Sequence, residues 1–239
     1  MFPTISLGRI AGIRVGLDVS LLLVLALIAW SLESMVFPAQ DPHLRKSAYV
    51  AMGIVAAILY LVCVLLHELG HSLQARREGV GIDGITLWLF GGVSRFRGTF
   101  RSPGSEFRVA IAGPLVSLVL GGLFVGIAQL VRSPVEVEGV AAWLGYINLI
   151  LFVFNMLPAL PLDGGRVFHA VLWRIRGSFP WATRVAADVG RGFGYLLIVG
   201  GLALGVTRGA WGGLWLAFVG WFLVQAARAE GQLASRMPA

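Results

Sequence analysis

The chain has 239 residues, 57% of them hydrophobic and 13% charged, with a mean hydropathy of +0.83. A soluble domain could not bury that much apolar surface, so the composition points to a polytopic membrane protein. The net charge of +7 does not mark a nucleic-acid binder, because the basic residues are spread between apolar runs and serve membrane orientation.

Residues 1–17 alternate apolar positions around Arg9 and Arg14 and read as an interfacial strand or loop. A cleavable signal peptide competes, but the apolar run from Val19 to Trp30 continues past any small-residue cleavage site. Residues 18–37 are predicted as the first transmembrane helix and 38–46 as a polar loop. The second helix, 47–76, is longer than the roughly 20 residues a span requires, so its last turns protrude or tilt. It carries His67-Glu68-Leu69-Gly70-His71. Two imidazoles at i and i+4 share one helix face and can hold one metal ion. Glu68 projects to one side, able to reach water at the ion without being a ligand. Such H-E-x-x-H helices usually take zinc, one ion per chain here. Paired helix histidines bonded to neighbouring helices are the structural alternative. Cys63, four residues before His67, is the single cysteine and excludes an intramolecular disulfide.

Residues 82–100 place β-branched and aromatic residues on both sides of Gly91-Gly92, a hairpin pattern. Lipid offers no hydrogen-bond partners, so an unpaired edge here would be a docking strip for an extended peptide, with Leu87, Leu89, Gly91 and Gly92 as its candidate residues. An ordinary surface loop is the alternative.

The third helix is predicted over 106–131, with Gly113-Pro114 inside it and Gly122 and Gly126 as a small-residue packing face. The fourth spans 139–157 and runs into Asn155-Met156-Leu157-Pro158-Ala159-Leu160-Pro161-Leu162-Asp163-Gly164-Gly165-Arg166. The prolines end that helix, and the double glycine permits a tight turn before a short helix through Arg176. Asp163 is the natural third ligand of a His₂–carboxylate set, unless it caps the short helix. His169 is expected on that helix's exposed side and is not proposed as a ligand. The fifth and sixth helices cover 184–206 and 210–228, joined at Arg208-Gly209.

Six spans put both termini on one side. All positive residues fall there except Arg45, Lys46, Arg132 and Arg208. The positive-inside rule makes that side cytoplasmic and puts His67, His71 and Asp163 near it. The expected location is the cell (plasma or inner) membrane.

With His67-Glu68-Leu69-Gly70-His71, the run from Asn155 to Gly165, Gly91-Gly92 and Ala112-Gly113-Pro114 in place, the chain resembles the site-2 protease family of intramembrane zinc metalloproteases. The resemblance runs from Leu7-Gly8-Arg9 through the sixth helix. It implies an all-α polytopic membrane protein, a single transmembrane domain over 1–239 with a small re-entrant β-hairpin at 82–100. It further implies zinc on His67, His71 and Asp163, and Glu68 as general base or acid. Asn155 would help to hold the tetrahedral intermediate. The substrate would be a transmembrane helix of a single-span protein, admitted sideways from the bilayer and paired with the hairpin. No PDZ insertion separates the third and fourth helices, which marks the compact branch. No regulatory C-terminal domain, such as the paired CBS domains of some relatives, follows the sixth helix in this sequence; either the protein lacks one or the sequence is a piece of a longer chain that carries it. Two other readings share the same residues: a metal transporter or sensor, and an inactive scaffold that only binds transmembrane helices. Transporters usually line a path with polar groups, whereas these sit at one depth.

Overall fold

A computed structural model describes residues 4–89, 91–208 and 211–235. Gly209, half of the expected Arg208-Gly209 turn, lies outside the described residues, as does Arg236. The order of elements is β1 (Thr4–Ile10), β2 (Ile13–Asp18), α1 (Val19–Ser31), a π-helical turn (Leu32–Val36), α2 (Phe37–Gln40), α3 (Lys46–Arg77), β3 (Gly81–Trp88), β4 (Gly91–Arg97), α4 (Pro103–Leu130), α5 (Val135–Asn155), α6 (Asp163–Arg176), α7 (Phe179–Arg208) and α8 (Trp211–Ser235). Six helices are long and apolar enough to cross a membrane: Val19–Gln40, Lys46–Arg77, Pro103–Leu130, Val135–Asn155, Phe179–Thr207 and Gly212–Gln232. The six expected spans are all present. The fifth begins earlier than position 184, because Ser178 accepts from the Trp181 N–H (3.4 Å) and Pro180 fits a first helical turn.

The chain forms two compact units, residues 1–99 with 112–152 and residues 100–111 with 153–239. In the first, the expected hairpin is half of a four-stranded sheet in the order β1-β2-β3-β4. Ala11 and Gly12 both have positive φ and make the two-residue turn between β1 and β2, the kind that matches strand twist. The Arg76 guanidinium, in the last turn of α3, donates to the Ala11 carbonyl. β2 then pairs in parallel with β3, Val15 opposite Ile85 and Leu17 opposite Leu87, while β3 and β4 are antiparallel. β2 alternates inward and outward, so Ile13, Val15 and Leu17 are buried. Ile13 and Leu17 join Leu21, Val64, Leu69, Ile85 and Leu87 in one core. Asp18 caps α1 through the Ser20 amide (2.9 Å), and hydrogen bonds from the Ser20 hydroxyl and amide hold its carboxyl below the usual carboxylate range.

A second core gathers Leu32, Phe37, Tyr49, Met52, Ala56, Val140 and Leu144. Close helix approach uses Gly121 against Leu149 and Gly145 against Val125. The expected packing face at Gly122 and Gly126 is not used, since neither has an atom within 4 Å of where its Cβ would stand. Gly121, the glycine of α4 that packs there, is one residue from Gly122 and so rotated from it by about 100°.

In the second unit α7 and α8 meet backbone to backbone. Gly194 lies against the Gly220 carbonyl and Gly201 against the Gly213 carbonyl, leaving no room for a Cβ at either. α6 ends at Gly177, whose positive φ forms the left-handed C-cap.

Candidate metal centre

In the first unit, α3 presents His67, Glu68 and His71, all buried. The Nε2 atoms of the two histidines are 3.1 Å apart, and their rings meet edge to face at 4.9 Å. Two ligand nitrogens on one tetrahedral zinc, at Zn–N of about 2.0–2.1 Å, stand about 3.3 Å apart, so the imidazoles fit a shared ion. The other face of His67 is fixed as well. Its Nδ1 lies 2.8 Å from Ser117 Oγ, a fully buried hydroxyl on α4. That contact favours the tautomer with hydrogen on Nδ1 and a lone pair on Nε2, as a metal ligand requires. Gly113 packs on the His71 ring so closely that a Cβ there would overlap it. Cys63, on the same helix, is buried.

The Glu68 carboxylate is held by the sheet. Ser94 Oγ on β4 donates to Glu68 Oε2 at 2.7 Å and lies 3.1 Å from Ser72 Oγ. Gly92 on the same strand passes so close to the Glu68 side chain that a Cβ would collide with it. The hairpin therefore does more than flank the helix, because β4 sets the position of the carboxylate. Sequence reasoning missed Ser72, Ser94 and Ser117. Serines carry no spacing signal, and their contacts link residues 22, 26 and 50 positions apart in the chain.

The docking strip expected over Leu87 and Leu89 needs correction. Leu87 is fully buried in the core of the sheet, and its strand is flanked on both sides by β2 and β4. Leu89 sits in the turn after β3 and is exposed. Among the described residues the strand with one neighbour on this side of the sheet is β4, which contains Gly91 and Gly92. The parallel partner β2 comes from residues near the start of the chain, so no local pattern shows β3 to be interior.

In the second unit, Asn155 is the last residue of α5 and is half-buried. Asp163 is the first residue of α6, one position after the N-cap residue Leu162. Gly164 and Gly165 lie in the first helical turn with no positive φ among them. A Cβ on Gly164 would overlap the Met156 and Leu157 carbonyls, and one on Gly165 would overlap Ala159 and Leu160. They are needed for close approach to the proline-bearing loop rather than for a tight turn. That approach fixes Asp163 against a rigid support.

His169 is not exposed as expected. It is buried, with Nδ1 2.8 Å from Glu106 Oε2 and Nε2 3.0 Å from Thr183 Oγ1. It joins the starts of α4 and α7 to α6, and Phe179 and Trp173 enclose its ring. Glu106 is 63 residues away in sequence, so helical spacing could not reveal the pair.

The sequence profile of peptidase family M50 matches residues 55–134 and 124–199. The putative zinc metalloprotease Rip3 of Mycobacterium tuberculosis is 45% identical over 233 residues, which are 96% of this chain and 59% of that protein. A putative zinc metalloprotease of Synechocystis is 38% identical over 94% of this chain and 59% of its own length. The chain thus spans about three-fifths of these curated relatives. Among solved structures, the site-2 protease from Methanocaldococcus jannaschii superposes with a TM-score of 0.66 at 29% identity, covering 99% of this chain and 97% of that one.

Proposed function

Because the chain belongs to peptidase family M50, we propose that it is an intramembrane zinc metalloprotease that hydrolyses peptide bonds within or beside transmembrane segments of membrane proteins. The observation that carries this reading is the pairing of two imidazole Nε2 atoms 3.1 Å apart with the neighbouring Glu68 carboxylate, all buried on one apolar helix. Ionisable groups in such a helix are costly and are kept for function.

His67, His71 and Asp163 are the metal-ligating side chains proposed to hold one zinc ion. Two imidazoles and a carboxylate match the donor set of catalytic zinc, which leaves a position open to water. When bound, zinc polarises the water and the scissile carbonyl. The residues around it have separate tasks. Ser117 orients His67, and Ser94 holds one oxygen of Glu68 so that the carboxylate can take a proton from water and return it to the departing amine. Asn155 is assigned to the carbonyl oxygen as charge develops on it, by resemblance to the family's motif.

A substrate helix hides its carbonyls behind its own hydrogen bonds and must open to be cut. Pairing of the opened segment with β4 would replace the lost bonds. β4 suits that task because the strand beside the substrate also touches Glu68 through Gly92 and Ser94. The charge distribution supports cytoplasmic termini and a site toward the cytoplasmic face.

The test is zinc analysis of the purified chain with cleavage of a panel of transmembrane substrates in bilayers. Absence of cleavage from the whole panel, together with zinc flux into proteoliposomes, would replace this reading with the transporter. Asp163→Ala is expected to reduce zinc from one per chain to below about a tenth under dialysis. Unchanged zinc in that variant would place the third ligand elsewhere. Proline placed in turn at Val93, Arg95 and Phe96 is expected to lower cleavage at least about tenfold, with zinc retained, where the lost N–H faces away from β3. Equal turnover in all three would end the strand-pairing proposal.

A further inference from the structure

A cleft of about 370 Å³ in the second unit opens between the start of α7 and the end of α8, lined by Arg184, Asp188, Arg191 and Arg228 with Ala187 and Gly231 among its walls. Asp188 is bonded to Arg191, and the nearby Glu230 is taken by Arg166 at 3.3 Å. Three guanidiniums against one carboxylate leave the lining with an excess of two positive charges. Nothing in the proposed proteolytic chemistry uses them.

Two observations indicate what would neutralise that charge. The first is depth. Beyond Arg191, α7 carries no charged residue from Gly192 to Thr207, and α8 carries none from Gly212 to Ala227. Sixteen helical residues extend about 24 Å, close to the hydrocarbon thickness of about 30 Å, so the arginines stand at the level of the lipid headgroups. The second is the surface below the cleft. Tyr195, Val199 and Leu202 follow Arg184, Asp188 and Arg191 along one face of α7 at three- and four-residue steps. They are 47%, 68% and 48% exposed. The Arg228 guanidinium donates to the Tyr195 hydroxyl at 2.8 Å, linking the charged cleft to the apolar stripe.

We propose that this cleft is a specific site for an anionic phospholipid, its phosphate held by Arg184, Arg191 and Arg228 and an acyl chain lying along Tyr195, Val199 and Leu202. Arginine suits phosphate because its fork of donors matches the oxygens. A soluble phosphate would share the headgroup chemistry but would gain nothing from the stripe.

The experiment is native mass spectrometry of the purified chain titrated with phosphatidylglycerol, phosphatidylcholine and inorganic phosphate. The expected result is retention of phosphatidylglycerol at least about tenfold over phosphatidylcholine, unaffected by excess inorganic phosphate. The combined Arg184→Gln, Arg191→Gln and Arg228→Gln variant should lose that preference. Arg174→Gln, an exposed arginine on α6, should keep it. Arg184→Gln alone carries the test if the triple variant does not fold, with an expected weakening of about fivefold. Equal retention of the two lipids, or an unchanged preference in the arginine variants, would overturn the proposal. Displacement of the lipid by inorganic phosphate would also overturn it, in favour of a soluble anion.

Discussion

Glu68→Gln is expected to keep one zinc per chain while cleavage of transmembrane substrates falls by about 10²–10⁴-fold, the range usual for loss of a positioned general acid–base. The substitution preserves size, and the amide can still accept from Ser94, which now holds Glu68 Oε2 at 2.7 Å. The fold around β4 should therefore survive. What the amide cannot do is take a proton from water. Zinc content by plasma emission and turnover on the same preparation separate the two roles. Full activity in this variant would remove Glu68 from the mechanism. Loss of zinc together with activity would make Glu68 part of the metal's support instead.

Gly113→Ala is expected to be nearly as damaging although it adds one methyl group. The new Cβ would occupy the space of the His71 ring, and a tightly packed helix pair cannot simply give way. Overpacking of this kind costs about 1–3 kcal/mol, and the easiest relief is to turn His71 away from His67. Zinc affinity should fall at least about tenfold while the helical content is retained, which circular dichroism and a zinc titration would check. Gly122→Ala is the control. It lies on the same helix with open space around its Cβ position and should bind zinc normally. If both variants bind zinc equally, the close fit between Gly113 and His71 has no bearing on the metal.

The six spans and the H-E-x-x-H helix were legible because hydropathy and helical spacing are local signals. Asp163 stood out because a carboxylate after a broken span needs a reason. Three features were not local. Ser94 reaches Glu68 across 26 residues, and Ser117 reaches His67 across 50. Strand β3 becomes interior only when residues 13–18 add β2 to it in parallel, and that buries Leu87 rather than offering it to a peptide. Rotation of a helix about its axis was also hidden. The glycine pattern in α4 offered Gly122 and Gly126, whereas the packed face contains Gly113 and Gly121.

The length of α3 bears on how a hydrolytic reaction obtains its second reactant. At 32 residues the helix extends about 48 Å, well beyond the hydrocarbon layer of about 30 Å. His71 lies six residues before the terminal Arg77 and His67 ten, which correspond to about 9 and 15 Å along the axis. A water molecule arriving from the arginine end needs to cross only a few helical turns. In the proposed protease, the place of the histidines on this overlong helix would let water reach the centre from the arginine end without a pore through the bilayer.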